Sequence, residues 1–68
     1  MEAIIEEIKQ LVKNKMREQG AYDRDAYKQF VEESIEYYQT KGVLTDDDNL
    51  QFIEERLLSI WDEVKNEL

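Results

Sequence analysis

Apolar residues recur at spacings of three and four in three separate stretches of this chain, the pattern of helices that bury one face. In the first stretch, 3–19, Ile4, Ile5, Ile8, Leu11, Val12 and Met16 fall on one side. Lys15 intrudes on that side, where its stem covers apolar surface while the ammonium reaches water. Glu2, Glu6 and Glu7 sit in the first turns and Arg17 in the last, matching the helix dipole, and Gly20 supplies a left-handed cap. Residues 23–41 predict a second helix with Asp23 as N-cap, Lys41-Gly42 as its stop, and Tyr27, Phe30, Val31, Ser34, Ile35 and Tyr38 facing inward.

The last third, from Thr45 to Leu68, predicts a single helix over 46–67. At roughly 100° per residue, Leu50, Ile53, Leu57, Ile60, Trp61, Val64 and Leu68 share an arc of about 100°, the width of a core-facing stripe. Thr45 with Asp48 three residues on forms a capping-box pattern, with Asp in place of Glu or Gln. Both linkers are short, as between antiparallel neighbours. The expected fold is therefore all-α: one domain, 1–68, built as an up-down-up three-helix bundle. In that topology the first and third helices run parallel. Lys9, Lys13, Lys15 and Arg17 then share an end of the bundle with Asp62, Glu63 and Glu67. This cationic block offsets the acidic residues that crowd the negative dipole end of the third helix, where only Lys65 opposes them.

Charge sharpens the picture. The chain carries −8 over 68 residues. Residues 45–68 hold eight carboxylates against two cations, Arg56 and Lys65, and so contribute −6 of it. Duplex nucleic acid and an acidic membrane leaflet are repelled by such a surface. A basic protein surface is compatible with it. The chain has no apolar run of membrane-spanning length. It begins Met-Glu-Ala without a basic region leading into an apolar one, so no signal peptide is expected and the expected compartment is the cytoplasm.

Cysteine and histidine are both absent, which removes thiol chemistry, thiolate zinc sites, the commonest general base and imidazole ligands together. Ser34 lacks a histidine to activate it and reads as a core serine, small enough to admit a neighbouring helix and able to bond a carbonyl one turn back. Asp46, Asp47, Asp48 and Asn49 suggest calcium only by composition. A calcium loop needs glycine at its sixth position and glutamate at its twelfth, and neither is there. Glu32, Glu33, Glu36, Glu54 and Glu55 lack the Glu-x-x-His pairs of carboxylate-bridged metal bundles and read as a solvated face. Glycines occur singly, so no phosphate-cradling loop forms. No enzyme activity, cofactor or metal is expected.

What remains is surface. Phe52 lies roughly 130° from the centre of the third stripe, beside Glu55, Arg56 and Ser59, and Leu58 is displaced about 110° the other way. Tyr37 sits at the edge of the second stripe. Two large apolar residues outside the arc mark either a second packing surface or a wider wrapping of the third helix by its neighbours. The candidate partner-binding residues are Phe52, Leu58, Tyr37, Glu55 and Arg56. The expected function is a small acidic regulatory or adaptor module that binds another protein. The alternatives are a homodimer through the outer face of the third helix, or an acidic mimic that blocks a nucleic-acid-binding protein.

Overall fold

The first two apolar stripes form the helices they predict. The computed structural model describes residues 2–45 and 47–68. Among these it contains four helices and no strand: α1 (Glu2–Gln19), α2 (Arg24–Thr40), α3 (Leu50–Ser59) and α4 (Trp61–Glu67). Asp23 caps α2, its carboxylate accepting from the Ala26 N–H at 2.7 Å. Gly20 and Gly42 end α1 and α2 at φ of 67° and 78°, a conformation that costs glycine no Cβ clash. At each end a backbone N–H reaches five residues back, Ala21 to Met16 at 3.1 Å and Val43 to Tyr38 at 2.9 Å. These bonds satisfy carbonyls that the helix leaves open.

The third stretch departs from expectation at its start and in its middle, and ends at Glu67 as expected. Its helix does not run unbroken over 46–67, so the architecture is four helices rather than a three-helix bundle. The expected start at Asp46 lies outside the described residues. Beyond it, Asp48 does accept from the Thr45 N–H at 2.8 Å, but this closes a turn and does not open α3. The N-cap of α3 is Asn49, whose side chain accepts from the Phe52 N–H at 3.0 Å.

The break between α3 and α4 has a traceable cause. In a continuous helix the Arg56 carbonyl would receive the Ile60 N–H, and the Leu57 carbonyl the Trp61 N–H. The Ser59 hydroxyl instead donates to the Arg56 carbonyl at 2.7 Å. The Ile60 N–H turns to Leu57 at 3.3 Å, and the Tyr27 hydroxyl, arriving from α2, donates to the same carbonyl at 2.5 Å. A side chain inserted into the hydrogen-bond ladder is a standard origin of helix breaks. Ile60 is left at φ −97°, ψ 14°, outside the helical well.

The core is shared by all four helices: Ile5, Ile8, Val12 and Met16 from α1, Tyr27, Val31 and Ile35 from α2, Ile53 and Leu57 from α3, and Val64 from α4. Leu44, expected only to link helices, is also buried in it, whereas its neighbour Val43 is exposed. Trp61 packs half-buried against the core, its ring 4.8 Å from that of Tyr27. Ser34 is fully buried, and its hydroxyl has no hydrogen-bond partner among the described residues; the expected bond to a carbonyl is not formed. An orphaned buried hydroxyl costs about 1–3 kcal/mol of desolvation. Ser34→Ala should therefore raise stability by roughly 1 kcal/mol and the melting temperature by several degrees. A lower melting point in calorimetry would show that the hydroxyl is paired in solution.

Glu67 ties α4 to α1. Its carboxylate receives Lys13 at 2.6 Å and Lys9 at 3.3 Å, and its backbone carbonyl accepts from Arg17 at 2.8 Å. At the far end Arg56 approaches Glu2 at 3.9 Å. The two contacts fix α1 and the C-terminal segment in the same direction, and the attraction between the cationic and acidic blocks is realised through Glu67. Lys15 is half-buried, but the lysine most enclosed is Lys13, 7 % exposed. The hydrogen bonds from Lys13 and then Lys9 hold the Glu67 carboxyl below its ordinary value of 4.5. A depressed folded value means stability that is present above that ordinary value and lost as pH falls through the lowered one. The melting temperature should thus fall, as pH drops below 4.5, more in the parent than in Glu67→Gln. Parallel curves would remove Glu67 as a source of acid sensitivity.

Candidate functional site

α2 and α3 pack antiparallel and leave a groove along their outer junction. From α2 it is lined by Glu32, Ile35, Glu36 and Gln39, and from α3 by Leu50, Gln51, Glu54 and Glu55. Ile35 and Leu50 belong to the inward stripes and the others flank them: on α2 the polar ones recur at four and three, so Glu32, Glu36 and Gln39 rise as one rim. Ile35, 6 % exposed, and half-buried Leu50 form an apolar floor. The open space measures about 530 Å³.

Electrostatically the groove is one-signed. It has four carboxylates and no cation in its lining. None of the four enters an ion pair among the described residues; Glu55 only accepts from the Gln51 amide at 3.1 Å. Three of the four cations of α1 are committed elsewhere, Lys9, Lys13 and Arg17 to Glu67. Carboxylates without partners accept charge-assisted hydrogen bonds from guanidinium and ammonium groups. No nucleophile with an activating base faces the groove, and the Ser34 hydroxyl is enclosed in the core. Among the described residues no group of three His, Cys, Asp or Glu side chains is placed to hold a metal ion.

The five residues singled out from sequence do not form one surface. Glu55 lies on the groove rim. Phe52 is exposed, at 44 %, but on the part of α3 turned away from the groove lining. Arg56, one turn on from Phe52, reaches towards Glu2 of α1. Leu58 packs half-buried against the core, about 120° from Phe52 around the helix. Its displacement from the stripe therefore reflects wrapping by neighbouring helices. Tyr37 is half exposed on α2, edge-on to Tyr38 at 5.6 Å and beneath the Lys41 ammonium, also at 5.6 Å. It lines a shallower depression with Glu33, Glu36 and Thr40.

The sequence reading took Glu32, Glu36, Glu54 and Glu55 for a solvated face and missed that they border one cleft. The available signal was their position on two helices joined by a short linker, each beside the apolar stripe. Among the described residues no helix is long and apolar enough to cross a membrane. No family model matches the chain, and no curated protein or solved structure is similar enough to it to count as a match.

Proposed function

We propose that this protein is a small acidic protein-binding module, regulatory or adaptor in kind, that works through non-covalent contacts and catalyses no reaction. The observation that carries this reading is the α2–α3 groove, an apolar floor between carboxylates that no cation of the chain neutralises among the described residues. Protein interfaces combine an apolar centre with a polar rim, and the rim charges set association rate and partner choice. The immobilised chain should retain a discrete protein from an extract of its source cell, and Glu36→Lys with Glu54→Lys should release it. An extract that yields no specific partner would remove the reading.

A homodimer through the outer face of α3 is the second reading, supported by the exposure of Phe52. Phe52 contributes little to the core, so Phe52→Ala should leave stability within about 0.5 kcal/mol of the parent. A buried aromatic hot spot loses about 2 kcal/mol or more of binding on truncation. Sedimentation of parent and variant then decides: a parent dimer that becomes monomeric in Phe52→Ala favours self-association, and a monomeric parent excludes it.

A further inference from the structure

We infer that the α2–α3 groove takes a basic amphipathic helix of a partner protein, laid along the groove with its apolar face on Ile35 and Leu50 and its Arg or Lys residues on the two glutamate rims; this rests on the protein-binding reading above. The groove itself narrows the mode of recognition. Strand addition needs an open sheet edge, and no strand exists among the described residues. Docking of a polyproline segment needs an aromatic-lined groove, and the lining here has no aromatic residue. Phosphorylated or acidic motifs need clustered arginines, and the charge is of the wrong sign. Of the modes weighed, a helix in a groove is the one that the lining fits, read through apolar anchors at i, i+3, i+4 and i+7.

The dimensions agree. Glu32 to Gln39 spans about 10 Å of α2 at 1.5 Å per residue, two turns of an apposed helix. Glu32 and Glu36 on one side, with Glu54 and Glu55 on the other, place carboxylates along both flanks of the floor. An occupant therefore needs cations on both sides of its apolar stripe. Arginine suits the position better than lysine, because its planar fork bonds a carboxylate with two hydrogen bonds at once. A second copy of this chain is poorly equipped for the role. The basic half of α1 is its richest cationic face, and Lys9, Lys13 and Arg17 of that face are already bound to Glu67.

The test uses the full chain, isotopically labelled, titrated with a synthetic peptide of about 18 residues, long enough to form a helix. The peptide carries leucine at i, i+3, i+4 and i+7 with arginines flanking that stripe. Its control is a scrambled peptide of equal composition. Amide shifts should move at Ile35, Glu36, Gln39, Leu50 and Glu54, and not around Phe52. Affinity should fall as salt is raised from about 50 mM to about 500 mM, since exposed charges are screened. Glu36→Lys with Glu54→Lys should weaken binding on the order of tenfold, and Glu36→Gln with Glu54→Gln by a few-fold, the helical spectrum of each variant being unchanged.

Equal affinity for the scrambled peptide, or equal shifts with spermine, would reduce the groove to a general counterion surface and overturn the inference. Shifts centred on Phe52 and Arg56 would overturn it in favour of the other face. A peptide that fails to bind, while the parent still retains a discrete protein from its source extract, removes the basic-helix occupant and leaves the protein-binding reading in place. Failure of both removes that reading as well.

Discussion

Tyr27→Ala is expected to leave the chain largely unfolded at room temperature. Tyr27 is a fully buried aromatic side chain that α2 sends across the core to the C-terminal end of α3. Replacing a core aromatic by alanine costs about 3–5 kcal/mol. A chain of this length holds only roughly 3–10 kcal/mol in total, at about 0.05–0.15 kcal/mol per residue. The variant also loses the hydroxyl that donates to the Leu57 carbonyl and the ring that Trp61 stacks upon. Circular dichroism in a urea titration measures this directly, and a variant with a native-like midpoint would show that the core closes without Tyr27.

Tyr27→Phe separates ring from hydroxyl. It keeps the packing and gives up one buried hydrogen bond, about 1 kcal/mol. Burial pushes the Tyr27 phenol up from 10.0 to about 12. A raised folded value means stability that is complete below the unfolded pKa and lost as pH rises through the folded one. The parent should therefore weaken between 10 and 12, and Tyr27→Phe should flatten that part of the curve.

Trp61→Ala should cost about 3 kcal/mol, near the lower limit for core aromatics because part of the ring meets solvent. The loss falls unevenly. α4 has seven residues, of which Val64 alone is fully buried. A helix so short does not hold its shape without packing. Trp61 anchors it at one end by stacking on Tyr27, and Glu67 holds the other through Lys13 and Lys9. Without Trp61 the α4 amides should lose exchange protection first, ahead of those in α1 and α2. Uniform protection with an unchanged melting point, coupled to loss of a bound partner, would make Trp61 an interface anchor in place of a core residue.

Several features were legible in the residues because they depend on near neighbours along the chain. The α1 and α2 stripes, the Asp23 cap, and the left-handed glycines at 20 and 42 all belong to this class. So does the pairing of a cationic first helix with an acidic C-terminus, since short linkers restrict how successive helices pack. The break at Ile60 was not legible. The apolar periodicity runs through it undisturbed, and the hydroxyl that helps to open the ladder comes from Tyr27, 30 residues away. Asn49 in place of Thr45 as the cap was not legible either, since both positions offer a capping side chain ahead of the same apolar stripe.

Sequence alone thus determined an all-helical chain, its principal inward residues, its charge asymmetry and the loss of histidine and cysteine chemistry, all of them properties of composition or of a 3.6-residue period. Tertiary structure decided which flanking residues are covered and which are brought together. A helical wheel places Phe52 and Leu58 outside the stripe alike, yet Leu58 is packed under a neighbour and Phe52 is left open. It places Glu32 and Glu36 on one solvated face and Glu54 and Glu55 on another; antiparallel packing of α2 on α3 makes them the two sides of one groove. The physical reason is that periodicity reports the angle of a residue about its own axis, whereas burial and site formation depend on the separation and direction of a second axis.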